Sequence, residues 1–527
     1  MKPIAGCLRR PALGLLLAAL GTALTQADAA ASSSSPTAAA GPCCGAIGAP
    51  WRDYFGANTA GGFSAEAWRA TVRSGYPRDS NVASISSVID PLRLDEVLAA
   101  HDWVHLQDGY NYRMQSAVDA YFDAIRADHG AGWRANVAQL AEAMIDGMQR
   151  NSAGGHRAYW ELGNEIYAEQ TGMTIGTWVS ANNLPYPHPN SNYNDNPNHI
   201  ERPNDRGIIG YQVEYQMALA IEAILTANAA APAAFQVPIM APAAASSSVN
   251  NGWLQALMDY EIVGYEMPLD GNGQPYIDFA RPLAASLAGM RFGDLLDLVN
   301  VHYVINVDGA TVNTVWDNWI DGSTTAQGVF HTEEGGVRAA IEGRGGLVAM
   351  SAFARVMDVW LSRGIDPTRA RTIFYSSGDG PPGTRGVDAL NELHAFMPAD
   401  ATALQRKPGL LSHPSVTIES YAFEADNENQ RALFVLPAAN GEATLDFIDM
   451  RADGWKNPQV GADVHLWNDS ANPTQSASVT PSVDGLSYRI EFPAVSFTAI
   501  NNQALVILVQ SSGESATIFA DGFESVP

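Results

Sequence analysis

Two stretches of this 527-residue chain run from apolar residues straight into carboxylates. Tyr159-Trp-Glu-Leu-Gly-Asn-Glu-Ile-Tyr167 brings up Asn164 and Glu165, and Gly328-Val-Phe-His-Thr-Glu-Glu-Gly-Gly336 brings up Glu333 and Glu334 ahead of two glycines. Two facing carboxyl groups are what cleavage of a glycosidic bond requires. One is held protonated and gives the leaving oxygen its proton; the other stays ionised and attacks the anomeric carbon. Glu161 falls inside its apolar run and is expected to point inward, with Glu165 at the rim. Glu334 rivals Glu333, since a one-residue bulge exchanges the two. Between these stretches, Leu295-Leu-Asp-Leu-Val-Asn-Val-His-Tyr303 ends in His302 and Tyr303. A tyrosine hydroxyl beside a nucleophilic carboxylate donates a hydrogen bond that fixes it and keeps it ionised.

Residues so far apart in sequence need a frame that delivers strand ends to one place. From about residue 51 to 398, amphipathic helical patterns alternate with short apolar runs, the mark of βα units and a parallel sheet. The spacing predicts helices over 114–128, 132–150, 211–228, 252–260 and 345–363, and strands over 82–89, 103–107, 158–162, 235–241, 295–303, 328–332 and 371–376. One more strand, near 55–58, brings the count to the eight of a (β/α)8 barrel, which presents its chemistry at the C-terminal ends of the strands. After residue 410 helical periodicity vanishes. Short runs at 415–423, 432–436, 443–448, 464–467, 488–492, 496–500 and 504–509 have the spacing of an all-β sandwich. An Asn- and Pro-crowded segment at 181–199 is a long loop following the strand that carries Glu165.

These residues resemble a known family. Trp160-Glu-Leu-Gly-Asn-Glu165 is similar to the Asn-Glu motif that ends strand four in clan A retaining glycoside hydrolases, especially the α-L-arabinofuranosidase, β-xylosidase and heparanase-type β-glucuronidase branches. Thr332-Glu-Glu-Gly335 is similar to their strand-seven pattern, and Val301-His-Tyr303 to that of strand six. The resemblance implies a (β/α)8 TIM barrel with a C-terminal β-sandwich. It makes Glu165 the general acid/base, Glu333 the nucleophile with Glu334 as the alternative, and Asn164 a ligand of the sugar 2-hydroxyl. Tyr303, His302 and Trp160 join them as substrate-binding residues, with Trp160 read either as a stacking platform for sugar or as a core aromatic.

The rest of the chain sets the compartment. Lys2, Arg9 and Arg10 precede an apolar run over 12–20 and an Ala27-Asp-Ala29 cleavage site, an export signal too short to span a bilayer. The expected organisation is a signal peptide over 1–29, a flexible leader over 30–48, the catalytic barrel over 49–405, the sandwich over 406–512 and a tail over 513–527. The protein is expected to be secreted or periplasmic, free of the membrane once the signal is cleaved. Net charge is −26, which opposes nucleic acid as a partner; the resemblance implies a carbohydrate one. Cys7, Cys43 and Cys44 are the only cysteines, so neither a disulfide framework nor a thiolate zinc site is available. No metal or other cofactor is expected. A protease has no HExxH or G-x-S-x-G to stand on. The remaining alternative is a non-catalytic carbohydrate-binding or cell-surface protein on the same frame.

Overall fold

A computed structural model of the chain describes residues 55–58, 76–79, 91–99, 102–107, 130–163, 213–245, 253–262, 284–302, 315–317, 326–334, 345–365, 369–374, 404–425, 430–437, 442–453, 458–467, 474–475, 477–498 and 504–511, with isolated helical positions between 120 and 128. The expected signal segment, the leader with Cys43 and Cys44, the strand at 82–89, Asn164, Glu165, the loop at 181–199, Tyr303 and the tail from 513 lie outside the described residues.

The first part of the chain lays down short strands: β1 (Phe55–Asn58), β2 (Tyr76–Asp79), β3 (Trp103–Leu106), β4 (Ala158–Glu161), β5 (Ile239–Met240), β6 (Ala244–Ala245), β7 (Leu298–His302), β8 (Gly328–Glu334) and β9 (Ala370–Phe374). They pair in the order β5-β4-β3-β2-β1-β9-β8-β7-β6, and every pairing is parallel. Met240 also pairs with Leu298, so the curled sheet brings β5 back beside β7. Between the strands run α1 (Pro91–Leu98), α2 (Ala131–Arg150), α3 (Ala218–Ala230), α4 (Trp253–Met258) and α5 (Gly345–Arg363).

Alternation along the strands separates two buried faces. Val104, Tyr159, Met240, Leu298 and Phe330, one from each of five strands, form a cluster of their own inside the curl. Their sequence neighbours Trp103, Trp160, Ile239, Val299 and Val329 pack outward into the core shared with the helices. That arrangement explains why the strands read as unbroken apolar runs. On α2 the matching stripe is Trp133, Val137, Leu140, Ala141, Met144, Ile145 and Met148, at the three- and four-residue spacing that lays them on one face.

Several expectations need correction. β2 (Tyr-Pro-Arg-Asp) has too few apolar residues, and β6 only two residues, for a periodicity reading to find them; α1 is a further element not expected, an eight-residue helix that buries Leu94, Val97 and Leu98. β5 is shorter than expected because Ala233–Phe235 winds into a 3-10 turn after Pro232. The helix expected over 211–228 begins as a π-helical turn, Val213–Met217, before α3.

The second part is antiparallel: β10 (Leu404–Arg406), β11 (Leu411–Ser412), β12 (Ile418–Ala425), β13 (Gln430–Pro437), β14 (Glu442–Arg451), β15 (Pro458–Trp467), β16 (Thr474–Gln475), β17 (Ser478–Pro481), β18 (Ser487–Thr498) and β19 (Ala504–Ser511). They form a six-stranded sheet, β10-β12-β13-β19-β15-β16, and a four-stranded sheet, β11-β14-β18-β17. Leu433, Val435, Ile507 and Val509 of the first share one buried cluster with Leu445, Ile448, Ile490 and Phe492 of the second. The strands expected over 488–492 and 496–500 are one strand, β18. Its register against β14 shifts between Leu445 and Phe447, where Pro493, which has no N–H to donate, is accommodated at the irregularity.

Helix α5 joins the two parts. In its second half Phe353, Ala354, Val356, Met357, Val359, Trp360 and Leu361 are all buried. Phe353 stacks on Phe434 at 5.3 Å and meets Phe423 edge-on at 5.8 Å. Two of its polar positions are answered from the antiparallel sheet. Arg355 forks onto both oxygens of Glu419 at 3.1 Å, and Asp358 takes the Arg406 guanidinium. The helix stops at Gly364, whose φ of +65° suits a residue without a side chain.

Candidate active site

On the inner face, the apolar cluster gives way to polar groups toward the C-terminal ends of the strands. Two residues beyond Tyr159 is Glu161, beyond Leu298 are Asn300 and His302, and beyond Phe330 is Thr332. All four are completely buried. They converge on one hydroxyl. Thr332 Oγ1 lies 2.8 Å from His302 Nε2, 3.0 Å from Asn300 Oδ1 and 3.1 Å from Glu161 Oε1. A hydroxyl has one proton to give and two lone pairs to receive. With His302 Nε2–H donating to it, the Thr332 proton goes to Glu161 or to Asn300. The Thr332 backbone N–H reaches Asn300 Oδ1 as well, at 3.4 Å. Asn300 Nδ2 is buried with no hydrogen-bond partner among the described residues, and an unmade bond of this kind ordinarily costs about 1–3 kcal/mol.

Strand β8 is irregular at this point. Val329, Phe330 and His331 pair with Ala370, Arg371 and Thr372 of β9, and pairing resumes at Glu334 with Phe374, so Thr332 and Glu333 together stand opposite Ile373. This is a β-bulge, which re-aims side chains where it occurs. On the other edge, the β7 ladder ends at Asn300 opposite Phe330. From there the contact between β7 and β8 passes to the side chains of Asn300, His302 and Thr332.

The opposite ends of the strands are closed by structural groups. Arg371 of β9 pairs with Asp102, the residue before β3, and lies over the Tyr159 ring at 5.1 Å. Burial pushes the Asp102 carboxyl up. Arg371, His156 and the Arg157 N–H together outweigh that and hold it at about 2. Two histidines point outward among helix-facing aromatics, His105 beside Trp103 and Trp160 and His331 beside Trp360. Burial lowers each to about 3, His302 adding to the effect on His331.

Of the residues expected at the site, His302 is on the inner face, tied to Thr332. Trp160 is not there. It is 1% exposed, packs in the helix-facing core and donates its Nε1–H to Gln107 Oε1 at 2.9 Å, so alternation makes it a core aromatic and the sugar-stacking role falls away. The backbones of Glu333 and Glu334 lie in β8; Asn164, Glu165 and Tyr303 follow the described parts of β4 and β7. Thr332 and Asn300 gain importance that local pattern did not assign them. The available signal was their even spacing from Phe330 and Leu298. Among the described residues no group of three His, Cys, Asp or Glu is arranged to hold a metal ion, and no helix is long and apolar enough to cross a membrane.

The sequence matches no family model and no curated protein. Among solved structures, the chain is similar to a GH30 endoxylanase from Clostridium papyrosolvens, with 10% identity over 87% of this chain and 96% of that one and a TM-score of 0.34. It is similar to an α-L-arabinofuranosidase from Thermotoga maritima, solved in an arabinose complex, with 10% identity over 89% and 100% and a TM-score of 0.35. A GH39 β-xylosidase from Caulobacter crescentus matches with 12% identity over 88% and 98% and a TM-score of 0.35. All three are glycoside hydrolases, and all three are distant.

Proposed function

We propose that the chain is a secreted, retaining glycoside hydrolase built on a (β/α)8 barrel with a C-terminal β-sandwich. Glu165 is its general acid/base and Glu333 its nucleophile. One observation carries the reading. Glu161, the last residue of β4, is hydrogen-bonded through Thr332 Oγ1 to the residue that directly precedes Glu333, across 171 positions of sequence. The two carboxylate-bearing stretches therefore leave the curled sheet at the same edge, the C-terminal one, where parallel-sheet enzymes place their chemistry.

The β8 bulge supports Glu333 over Glu334. Simple alternation from Thr332 would put Glu334 on the same face. One inserted residue moves that parity by one, to Glu333.

In the first step Glu333 attacks the anomeric carbon as the bond to the leaving oxygen breaks, and Glu165 passes its proton to that oxygen. A glycosyl ester on Glu333 results. In the second step Glu165, now a carboxylate, takes a proton from water, whose oxygen attacks the same carbon and frees Glu333. Two inversions give net retention. Asn164 holds the sugar 2-hydroxyl, and Tyr303 donates to the Glu333 carboxylate. Export places this chemistry outside the cytoplasm, and the exported chain should begin at Ala30.

The test is a panel of aryl α-L-arabinofuranoside, β-xyloside, β-glucoside and β-glucuronide substrates, with the first-formed anomer read by NMR. Cleavage with the starting configuration kept is expected. Inversion, or no cleavage of any of the four, overturns the reading.

A further inference from the structure

We infer that Thr332 is a positioning residue whose hydroxyl, held by Glu161, Asn300 and His302, fixes the β8 bulge and with it the placement of Glu333. This rests on the glycosidase reading for its catalytic consequence, though not for its structural one.

A bulge takes residues out of the strand ladder and leaves backbone groups to be satisfied by other means. At the β8 bulge the regular pairing with β7 has ended at Asn300 and Phe330, and that with β9 is interrupted between His331 and Glu334. What holds this stretch is side-chain chemistry: Asn300 Oδ1 accepts the Thr332 N–H, and the Thr332 hydroxyl bonds to groups from β4 and β7. All four side chains are fully buried, so water does not compete for these bonds and their geometry is sharply defined. Glu333 is one peptide bond from this anchor. A nucleophile displaced by about 1 Å loses on the order of 10²-fold in rate, so the anchor acts on kcat through Glu333 without touching substrate.

The experiment compares Thr332→Val, which keeps the shape and removes the hydroxyl, with Thr332→Ser, which keeps the hydroxyl. Kinetics use the aryl α-L-arabinofuranoside or β-xyloside that the wild type cleaves. In parallel, hydrogen-exchange mass spectrometry follows the β8 peptide, with β13 as an internal control. Thr332→Val is expected to lower kcat about 10²-fold while KM moves less than about 3-fold, and to speed exchange in β8 but not in β13. Thr332→Ser is expected to restore both. A valine variant with wild-type kcat, or with β8 exchange unchanged, overturns the inference. Should the valine variant fail to fold, Thr332→Cys, close in volume and only a weak donor, makes the same comparison. If Glu333→Ala abolishes turnover and Thr332→Val changes nothing, only this inference falls. If Glu333→Ala stays active, Glu333 is not the nucleophile and the catalytic part of this inference falls; if no glycoside is cleaved, the glycosidase reading falls and β8 exchange alone decides the anchor.

Discussion

Arg371 and Asp102, 269 residues apart, form a largely buried ion pair that ties β9 to the start of β3. Asp102 also accepts the Arg157 backbone N–H at 2.7 Å, which draws in the start of β4. The Arg371 guanidinium lies over Tyr159 and Phe330 at 5.1 and 5.7 Å. A single charge pair thus gathers three strands at the edge of the sheet opposite the proposed chemistry.

Asp102→Asn should therefore damage stability and spare catalysis. It removes the carboxylate charge that faces Arg371, itself 4% exposed, and breaking a buried pair costs about 3–5 kcal/mol. Denaturant unfolding at pH 7 measures it. The pH dependence has a definite sign. With the folded pKa depressed to about 2 from 3.8, the Asp102 contribution is present above pH 3.8 and lost as pH falls toward 2. The asparagine variant should lack that part of the acid loss. A variant with wild-type stability at pH 7 contradicts the assignment.

His105 and His331 should make the protein acid-labile over a higher range. Each titrates near 6.5 when unfolded and near 3 when folded. Between those values the unfolded chain holds a proton that the folded one does not, so stability falls as pH falls, by about 1.4 kcal/mol per pH unit for each residue. Below about pH 3 that loss stops growing. Phenylalanine suits both aromatic surroundings, and His105→Phe or His331→Phe should flatten the stability curve by that slope between pH 6 and 4. An unchanged slope would show that the folded histidine is protonated.

Phe353→Ala removes the ring that α5 sets between Phe423 and Phe434. Truncating a fully buried phenylalanine costs about 3–5 kcal/mol, and calorimetry should also show the two parts of the molecule beginning to unfold separately. A single transition at the wild-type temperature would mean that this contact does not couple them.

Glu165→Gln separates acid catalysis from nucleophilic attack. Turnover of an aryl glycoside with a good leaving group should largely persist in its first step. Hydrolysis of unactivated glycosides should fall by about 10²- to 10⁴-fold. Equal losses on both would remove Glu165 from the acid/base role.

Local sequence made much of the frame legible. Helix α5 begins and ends where its periodicity indicates, at 345 and 363, and β1 lies where an additional strand was needed. The legible elements bury a continuous apolar stripe or run. β2 and β6 were not legible because their pairing partners, not their composition, make them strands. The polar cluster shows a sharper division. That Glu161 turns inward followed from alternation within one strand, whereas its bond to Thr332 depends on how two distant strands curl toward each other. Trp160 illustrates the same limit from the other side. It sits in the motif that carries the resemblance, yet its place in the strand turns it away from the inner face and into the helix-facing core.

Helix α5 bears on how this chain can be cut or recombined. Because its surroundings come from both parts of the molecule, a fragment ending before Leu404 would open the Phe353 face to water and leave Arg355 and Asp358 without Glu419 and Arg406. The parallel-sheet portion is therefore not a portable cassette. A chimera that replaces the antiparallel portion must carry over an acidic residue for Arg355, a basic one for Asp358 and aromatic rings for Phe353, and expression screens of shortened chains should be designed around that seam.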